Sequence, residues 1–497
     1  MDIQAPTHHD RPTAIRSAEL RIPLFINGNW QMNDDVFEVT DPATLDRAAI
    51  VADAGDQDLD AAVSSACTAF AQWRETTPLD RYRLLTRVGE LMERDEAHLA
   101  ALLTLETGKP LAEARGEVAY ARDFAYWYAE EGRRIMGYTL RSGTKAGVRL
   151  SVSRYPLGVV LAVVPWNYPL VLLCRKLFAA IAAGNTVIVK PSEQTPIASA
   201  HLMRLFGEAD APCGLVNHVT VADPERASRR LLRDERVAQV SFTGSVATGQ
   251  ALARLATENL IRVTLELGGQ NAFIALEDCD IDAAANAAMH ARLRNGGQTC
   301  VCPDRIYVAE AVHEEFVDVC LSYLGKTVVG DGFSPASTIG PLIDAAAARR
   351  VDNHIGDAVG RGAVLRCGGE RVQPGPGLRG HFRSPALLTG VRPDMLVLND
   401  ETFGPVASIV PFSEVADVVD AVNGLRYGLA AYVFSESLRA VTNLSEQIQA
   451  GMIVVNQAAG SGVEGPQGGV KLSGYGVEGG KEGLEEFTYQ KYVSMAV

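Results

Sequence analysis

A chain of 497 residues exceeds what one hydrophobic core accommodates, so two or more domains are expected. A formal charge of −14 argues against nucleic acid and acidic membrane surfaces as partners, because phosphate binding needs clustered Lys and Arg. The start, MDIQAPTHHDRPT, has no apolar h-region, and the eight cysteines are scattered, which reads as a soluble cytoplasmic protein with reduced thiols.

The first twenty residues are polar and read as a loose segment. From about Asp58 to Glu131, apolar residues recur at spacings of three and four, as in LDAAVSSACTAFAQW, and predict a run of helices. The segment from about 140 to 154 reads as a strand attached to neither core. Between 155 and 270, the runs YPLGVVLAVV, TVIVKP, VNHVT, VAQVSFTG and IRVTLELGG alternate with helices. They are apolar throughout, which suits strands buried on both faces of a parallel, doubly wound, nucleotide-binding sheet. The apolar stretch LGVVLAVVPWNYPLVLLC (157–174) is broken by two prolines and an Asn, so it predicts a strand, a turn and a helix start rather than a membrane span. A second alternation runs from NAFIAL near Asn271 to GMIVVN and makes a second α/β domain. The tail EEFTYQKYVSMAV ends the chain as another unattached strand.

Two glycine motifs bear on phosphate binding. GYGVEG (474–479) has the G-x-G-x-x-G spacing, but no predicted strand precedes it. GSVATGQA (244–251) follows a strand and opens a helix, with Gln250 where a P-loop lysine would stand. That excludes an ATPase reading and leaves the N–H groups around Gly244 and Ser245 able to meet a pyrophosphate, or to form a plain strand-to-helix turn.

NGGQTCVC (295–302) places Cys300 and Cys302 two apart. A zinc clip needs two further ligands, and no second CxxC or HxxxH lies nearby, so no metal is expected. A disulfide is awkward where neighbouring side chains alternate faces. A reactive thiol remains, against the alternative of an inert buried cysteine. Glu266, in LELGG at the end of an apolar strand, is costly there unless it has a partner or a task. Asn167, between the prolines of PWNYP, is either an amide donor fixed in space or a structural turn residue. Nucleophile, base, oxyanion donor and phosphate-binding helix end together suit acyl-enzyme chemistry beside a dinucleotide.

These motifs, in the order PWNYP, VIVKPSEQTP, SFTGS, LELGG, GGQTC, ETFGP and GPQGGVKLSG, resemble the aldehyde dehydrogenase superfamily from about residue 22 to 495. The resemblance implies an α/β fold with a doubly wound, Rossmann-like NAD-binding domain (1–139 and 155–267), a second α/β catalytic domain (268–465) and a small β oligomerisation element (140–154 and 478–497). It implies Cys300 as nucleophile, Glu266 as general base, and Asn167 with the Cys300 N–H as oxyanion hole. Trp166, Lys190, Glu193, Gly244, Ser245, Glu401 and Phe403 would bind the cofactor. Glu193 favours NAD over NADP, because a carboxylate bonds a ribose 2′-hydroxyl and repels a 2′-phosphate. A homodimer or homotetramer is implied as well.

Within the superfamily, RNGGQTCVCPDRIYV, VVGDGFSPASTIGPLID and GLAAYVFSESL look like the succinate-semialdehyde dehydrogenases. That likeness implies a carboxylate clamp of Arg175 and Arg294 and Cys302 as a redox partner of Cys300; Ser461, in a loop that differs from the branch, stands where a substrate hydroxyl would sit. The loop QAAGSGVEGPQGG departs from the branch at Gly462 and Gln467. The alternatives are a dehydrogenase of uncharged or hydroxylated aldehydes, lactaldehyde-like or aromatic, and a non-catalytic binding member of the same fold.

Overall fold

The structure is a computed structural model that describes residues 20–460 and 462–497. The polar segment expected at the start and Ser461 lie outside the described residues.

Five parallel strands form the centre of an eight-stranded sheet: Arg262–Leu267, Val237–Gly244, Val159–Val163, Thr186–Lys190 and Val216–His218, in that spatial order. The buried strand Val159–Val163 shows why the sequence runs are apolar throughout. Val160 and Ala162 enter one core with the helices Pro78–Arg94, Leu111–Gly132 and Pro169–Ala183. Val159, Leu161 and Val163 enter the core on the other face, with Asp56–Trp73, Pro224–Leu232 and Val246–Ala256. Strand order reverses between Val159–Val163 and Val237–Gly244, so the crevice at their carboxyl ends is the topological switch point where such sheets bind ligands. No helix among the described residues is long and apolar enough to cross a membrane.

The second sheet has seven strands, in the order Val364–Cys367, Ala386–Thr389, Val406–Phe412, Pro303–Ala309, Asn271–Ala275, Ala430–Phe434 and Met452–Val455. All of its pairings are parallel except that of its first strand. The chain crosses from one sheet to the other through Gly268, Gly269 and Gln270, between Leu267 and Asn271. A Cβ on Gly268 would lie 2.5 Å from Glu401 Oε2, so a larger residue here would displace this carboxyl.

A third sheet pairs Tyr138–Arg141, Val148–Pro156 and Thr488–Ala496 antiparallel, apart from both cores. The strand expected over 478–497 begins only at Thr488, because Gly480–Glu485 is helical and packs against Pro169–Ala183. Two features were not anticipated. The segment Leu20–Ala52 contributes a small sheet of its own and an antiparallel hairpin at the edge of the first sheet. Gly474–Tyr475, beyond the second domain, returns to pair with Leu265 and Glu266 at the other edge.

Candidate active site

The turn after Val159–Val163 carries Trp166 and Asn167 at the switch point. Asn167 is buried, and its backbone carbonyl accepts from Lys109 Nζ at 2.7 Å and from Asn295 Nδ2 at 2.9 Å. Its own Nδ2 donates to Gln298 O at 3.0 Å. Lys109 pairs with Glu117 at 2.5 Å, and both side chains are fully buried. Glu117 Oε1 accepts from Leu170 N and Val171 N, where a carboxylate complements the amino end of the helix Pro169–Ala183. One buried ion pair therefore holds the turn and the helix behind it. Neither Lys109 nor Glu117 was singled out from sequence.

The cysteine loop is shaped by three successive left-handed residues: Asn295 (φ 51), Gly296 (φ 62) and Gly297 (φ 76). A Cβ on Gly297 would lie 2.3 Å from Gly404 O. Glu113 Oε2 accepts from Asn295 N at 2.8 Å, and Asn271 Nδ2 donates to Cys300 O at 2.7 Å and Cys302 O at 2.9 Å. Cys300 faces the cavities, and burial pushes its thiol up to about 12, with Glu401 adding to the effect and Arg175 opposing it. Cys302 points the other way, with its Sγ 3.2 Å from Ala291 O. The two thiols are free and unpaired with one another.

Glu266 lies at the end of Arg262–Leu267, beside Thr243 and Gly474. Burial holds its carboxyl well above the usual range, and the nearby Glu478 raises it further against Lys176 and Arg175. Its Oε1 has no hydrogen-bond partner among the described residues. A buried carboxyl with one oxygen unengaged, on the wall that also holds Cys300, is placed to exchange a proton with a molecule in the cavity. Glu478 itself is ion-paired to Lys176, whose Nζ also donates to Thr243 Oγ1 at 2.6 Å. Glu478 was not predicted.

Two cavities meet at this point, and Asn167 and Cys300 line both. The first, about 270 Å³, gathers Trp166, Gly244, Ser245, Glu266, Glu401 and Phe403 on its wall. Ser245 caps the helix Val246–Ala256, whose first N–H groups remain available to an anion. The Phe403 ring stands edge-on to Trp166 at 5.5 Å, and burial pushes the Glu401 carboxyl up to about 8. A helix amino end for a pyrophosphate, a carboxyl for a ribose and a flat aromatic wall fit a dinucleotide. Lys190 and Glu193 lie one strand away, at and after the end of Thr186–Lys190, and Lys190 Nζ donates to Pro191 O. Arg350 also lines this cavity and was missed.

The second cavity, about 110 Å³, brings Arg175 and Arg294 together with Cys300. The Nε of each arginine is buried without a partner among the described residues. Arg175 stacks on Phe124 at 5.3 Å and lies 4.0 Å from Glu478. Tyr120, Tyr168, Thr299, Tyr432 and Gln467 add further polar groups to the wall, while Ser461 lies outside the described residues. No cluster of metal ligands occurs among the described residues.

The aldehyde dehydrogenase family model matches residues 30–493. The chain is 39% identical over 479 residues to the succinate-semialdehyde dehydrogenase [NADP(+)] of Escherichia coli (strain K12), covering 96% of this chain and 98% of that protein. It is also 39% identical over 478 residues to the 3-sulfolactaldehyde dehydrogenase of Pseudomonas putida, covering 96% and 97%. The crystal structure of succinate-semialdehyde dehydrogenase from Burkholderia pseudomallei superposes with a TM-score of 0.93 at 40% identity, over 96% of this chain and 98% of that one. With such identity over nearly its whole length, and with the fold to match, the chain belongs to the aldehyde dehydrogenase family and is an NAD(P)-dependent oxidoreductase acting on small aldehydes.

Proposed function

We propose that this enzyme oxidises a small anionic aldehyde, of the succinate-semialdehyde type, to its carboxylic acid with NAD. The observation that carries this reading is the pair of guanidinium groups, of buried Arg175 and half-buried Arg294, each with a buried, unpartnered Nε, on the wall that also holds Cys300. An acidic protein needs such forks to draw in and orient a carboxylate. The names of the Escherichia coli and Pseudomonas putida relatives, which refer to anionic aldehydes, support it.

In the proposed sequence, Cys300 passes its proton to solvent water and its sulfur adds to the aldehyde carbon, the carbonyl π pair moving to oxygen to give the oxyanion of a thiohemiacetal. The Asn167 amide and the Cys300 backbone N–H donate to the oxyanion; removing one such donor typically costs about 2.7–4 kcal/mol. NAD, when bound, supplies the acceptor for the hydride. The acyl group is left on Cys300 as a thioester. Glu266 then takes a proton from water, the water oxygen attacks the acyl carbon, and the acid leaves as the thiol reforms.

Glu193 supports NAD over NADP, although the Escherichia coli relative is an NADP(+) enzyme by its name. The exposed Tyr138, Leu140, Tyr492 and Met495 on the third sheet support assembly as a homodimer or homotetramer; the cytoplasm is the proposed location. The test is cofactor reduction, followed by absorbance, with succinate semialdehyde, lactaldehyde, an uncharged aliphatic aldehyde and benzaldehyde, each with NAD and NADP. Preference for succinate semialdehyde over the uncharged aldehydes, lost in Arg175→Leu and Arg294→Leu, is expected. Equal or better turnover of the uncharged aldehydes would discard the anionic assignment, and faster turnover with NADP would overturn the cofactor assignment.

A further inference from the structure

Gln467 is a buried amide on a cavity wall that sets Val171, Leu172, Val301, Met452 and Val454 among polar groups, Tyr168, Thr299 and Tyr432 besides the two arginines. It is held firmly. Its backbone N and O exchange hydrogen bonds with Glu478 at 2.6 and 2.7 Å, and Glu478 is anchored by Lys176. Its Nε2 donates to the Tyr120 hydroxyl at 3.0 Å. Tyr120 projects from the helix Leu111–Gly132 and packs on Phe124, the ring beneath Arg175. Among the described residues, no donor reaches Gln467 Oε1 and no acceptor takes the Tyr120 O–H. The wall thus offers one acceptor and one donor side by side. Exchanging the two amide atoms swaps these roles and preserves the donor–acceptor pair.

We infer that Tyr120 and Gln467 form a specificity dyad that reads a hydroxyl group on the carbon chain of the anionic aldehyde. This deepens the function proposed above and rests on it. A hydroxyl both donates and accepts, so it satisfies the two groups at once. A methylene leaves both unpaired, a carboxylate at this point meets the amide oxygen, and a cation meets two guanidinium groups. The acid end of the substrate belongs to Arg175 and Arg294, the aldehyde to Cys300, and the hydroxyl to the chain between them. A site built to bond a hydroxyl discriminates against the analogue lacking it, here by about 10- to 100-fold because the cavity is open to water.

The experiment compares kcat/KM for succinate semialdehyde and for its analogue carrying a hydroxyl on the carbon beside the aldehyde, with butanal as the uncharged reference. Both acids are measured on the same preparations of the parent enzyme, Tyr120→Phe and Gln467→Leu. Their ratio is then independent of how much of a variant has folded. The expected ratio in the parent is about tenfold or more in favour of the hydroxylated acid, falling towards one in each variant. A parent ratio of one or less, or a ratio that neither variant moves, overturns the dyad. If both acids outrun butanal while the hydroxyl makes no difference, only this inference falls. If neither acid outruns butanal, the anionic-aldehyde reading falls and takes the dyad with it.

Discussion

Replacing Lys109 with Met separates two roles that one ammonium group performs. Its Nζ lies 2.5 Å from Glu117 and 2.7 Å from Asn167 O, and it stands 3.9 Å over the Tyr168 ring, with no exposure of either charged side chain. Removing one partner of a buried pair costs about 3–5 kcal/mol, because the other charge is left uncompensated. At about 2–4 °C per kcal/mol for a unit of this size, thermal unfolding should shift down by roughly 6–20 °C. The same substitution leaves the Asn167 carbonyl with Asn295 alone, so the amide proposed for the oxyanion hole loses a restraint and kcat should fall at least about tenfold. The double variant Lys109→Met, Glu117→Gln tells the roles apart. A neutral Gln still accepts from Leu170 N or Val171 N, so much of the stability should return. The donor to Asn167 is still missing, so kcat should stay low. Differential scanning calorimetry and steady-state kinetics on the two variants read both quantities. Recovery of kcat together with stability would refute the positioning role, and an unshifted transition in the single variant would refute the energetic argument.

Three further outcomes are expected. Burial raises Glu106 from 4.5 to about 8, so the folded state holds a proton that the unfolded state releases, and the stability it contributes is present below about pH 4.5 and lost as pH rises through about 8. Glu106→Gln should therefore gain in Tm relative to the parent as pH goes from 5 to 8; a constant difference across that window would contradict the sign. With its thiol pushed up to about 12, Cys300 should be alkylated by iodoacetamide at a rate rising about tenfold per pH unit above neutrality. A plateau near pH 7 would show a thiolate already formed. Cys302, turned towards Ala291, should be a bystander, so Cys302→Ser should lose activity to peroxide as fast as the parent, with the same recovery in dithiothreitol. Recovery seen only in the parent would establish a Cys300–Cys302 disulfide instead.

The parts of this molecule that could be read from sequence are those with a local signature. Parallel strands such as Val159–Val163 announce themselves because both faces are buried, and the Asn167 turn is marked by its flanking prolines. Arg175 was visible as a charge within PLVLLCRKLFAAIAA, a helix that proves buried along its whole length. Lys176 beside it is a further charge that argues against a membrane span but carries no role by itself, because a lysine there says only that a partner is needed. The partner, Glu478, is 302 residues away, and the edge strand Gly474–Tyr475 brings the chain back towards it. Lys109 and Glu117 were hidden for the opposite reason: eight residues apart in a region rich in charge, they look solvated, and only the helix Pro169–Ala183 arriving over them makes them a core pair. Gln467 was noticed as a departure from related sequences, but its direction came from Tyr120, 347 residues earlier. What periodicity cannot supply is the identity of the partner of a buried polar group. That pairing is set by the order of strands in the first sheet and by the late return of the chain to its edge. The same return places Glu478 between Lys176 and Arg175 and gives Gln467 its backbone anchor, so the proposed base and the proposed substrate-reading wall are held by a single segment.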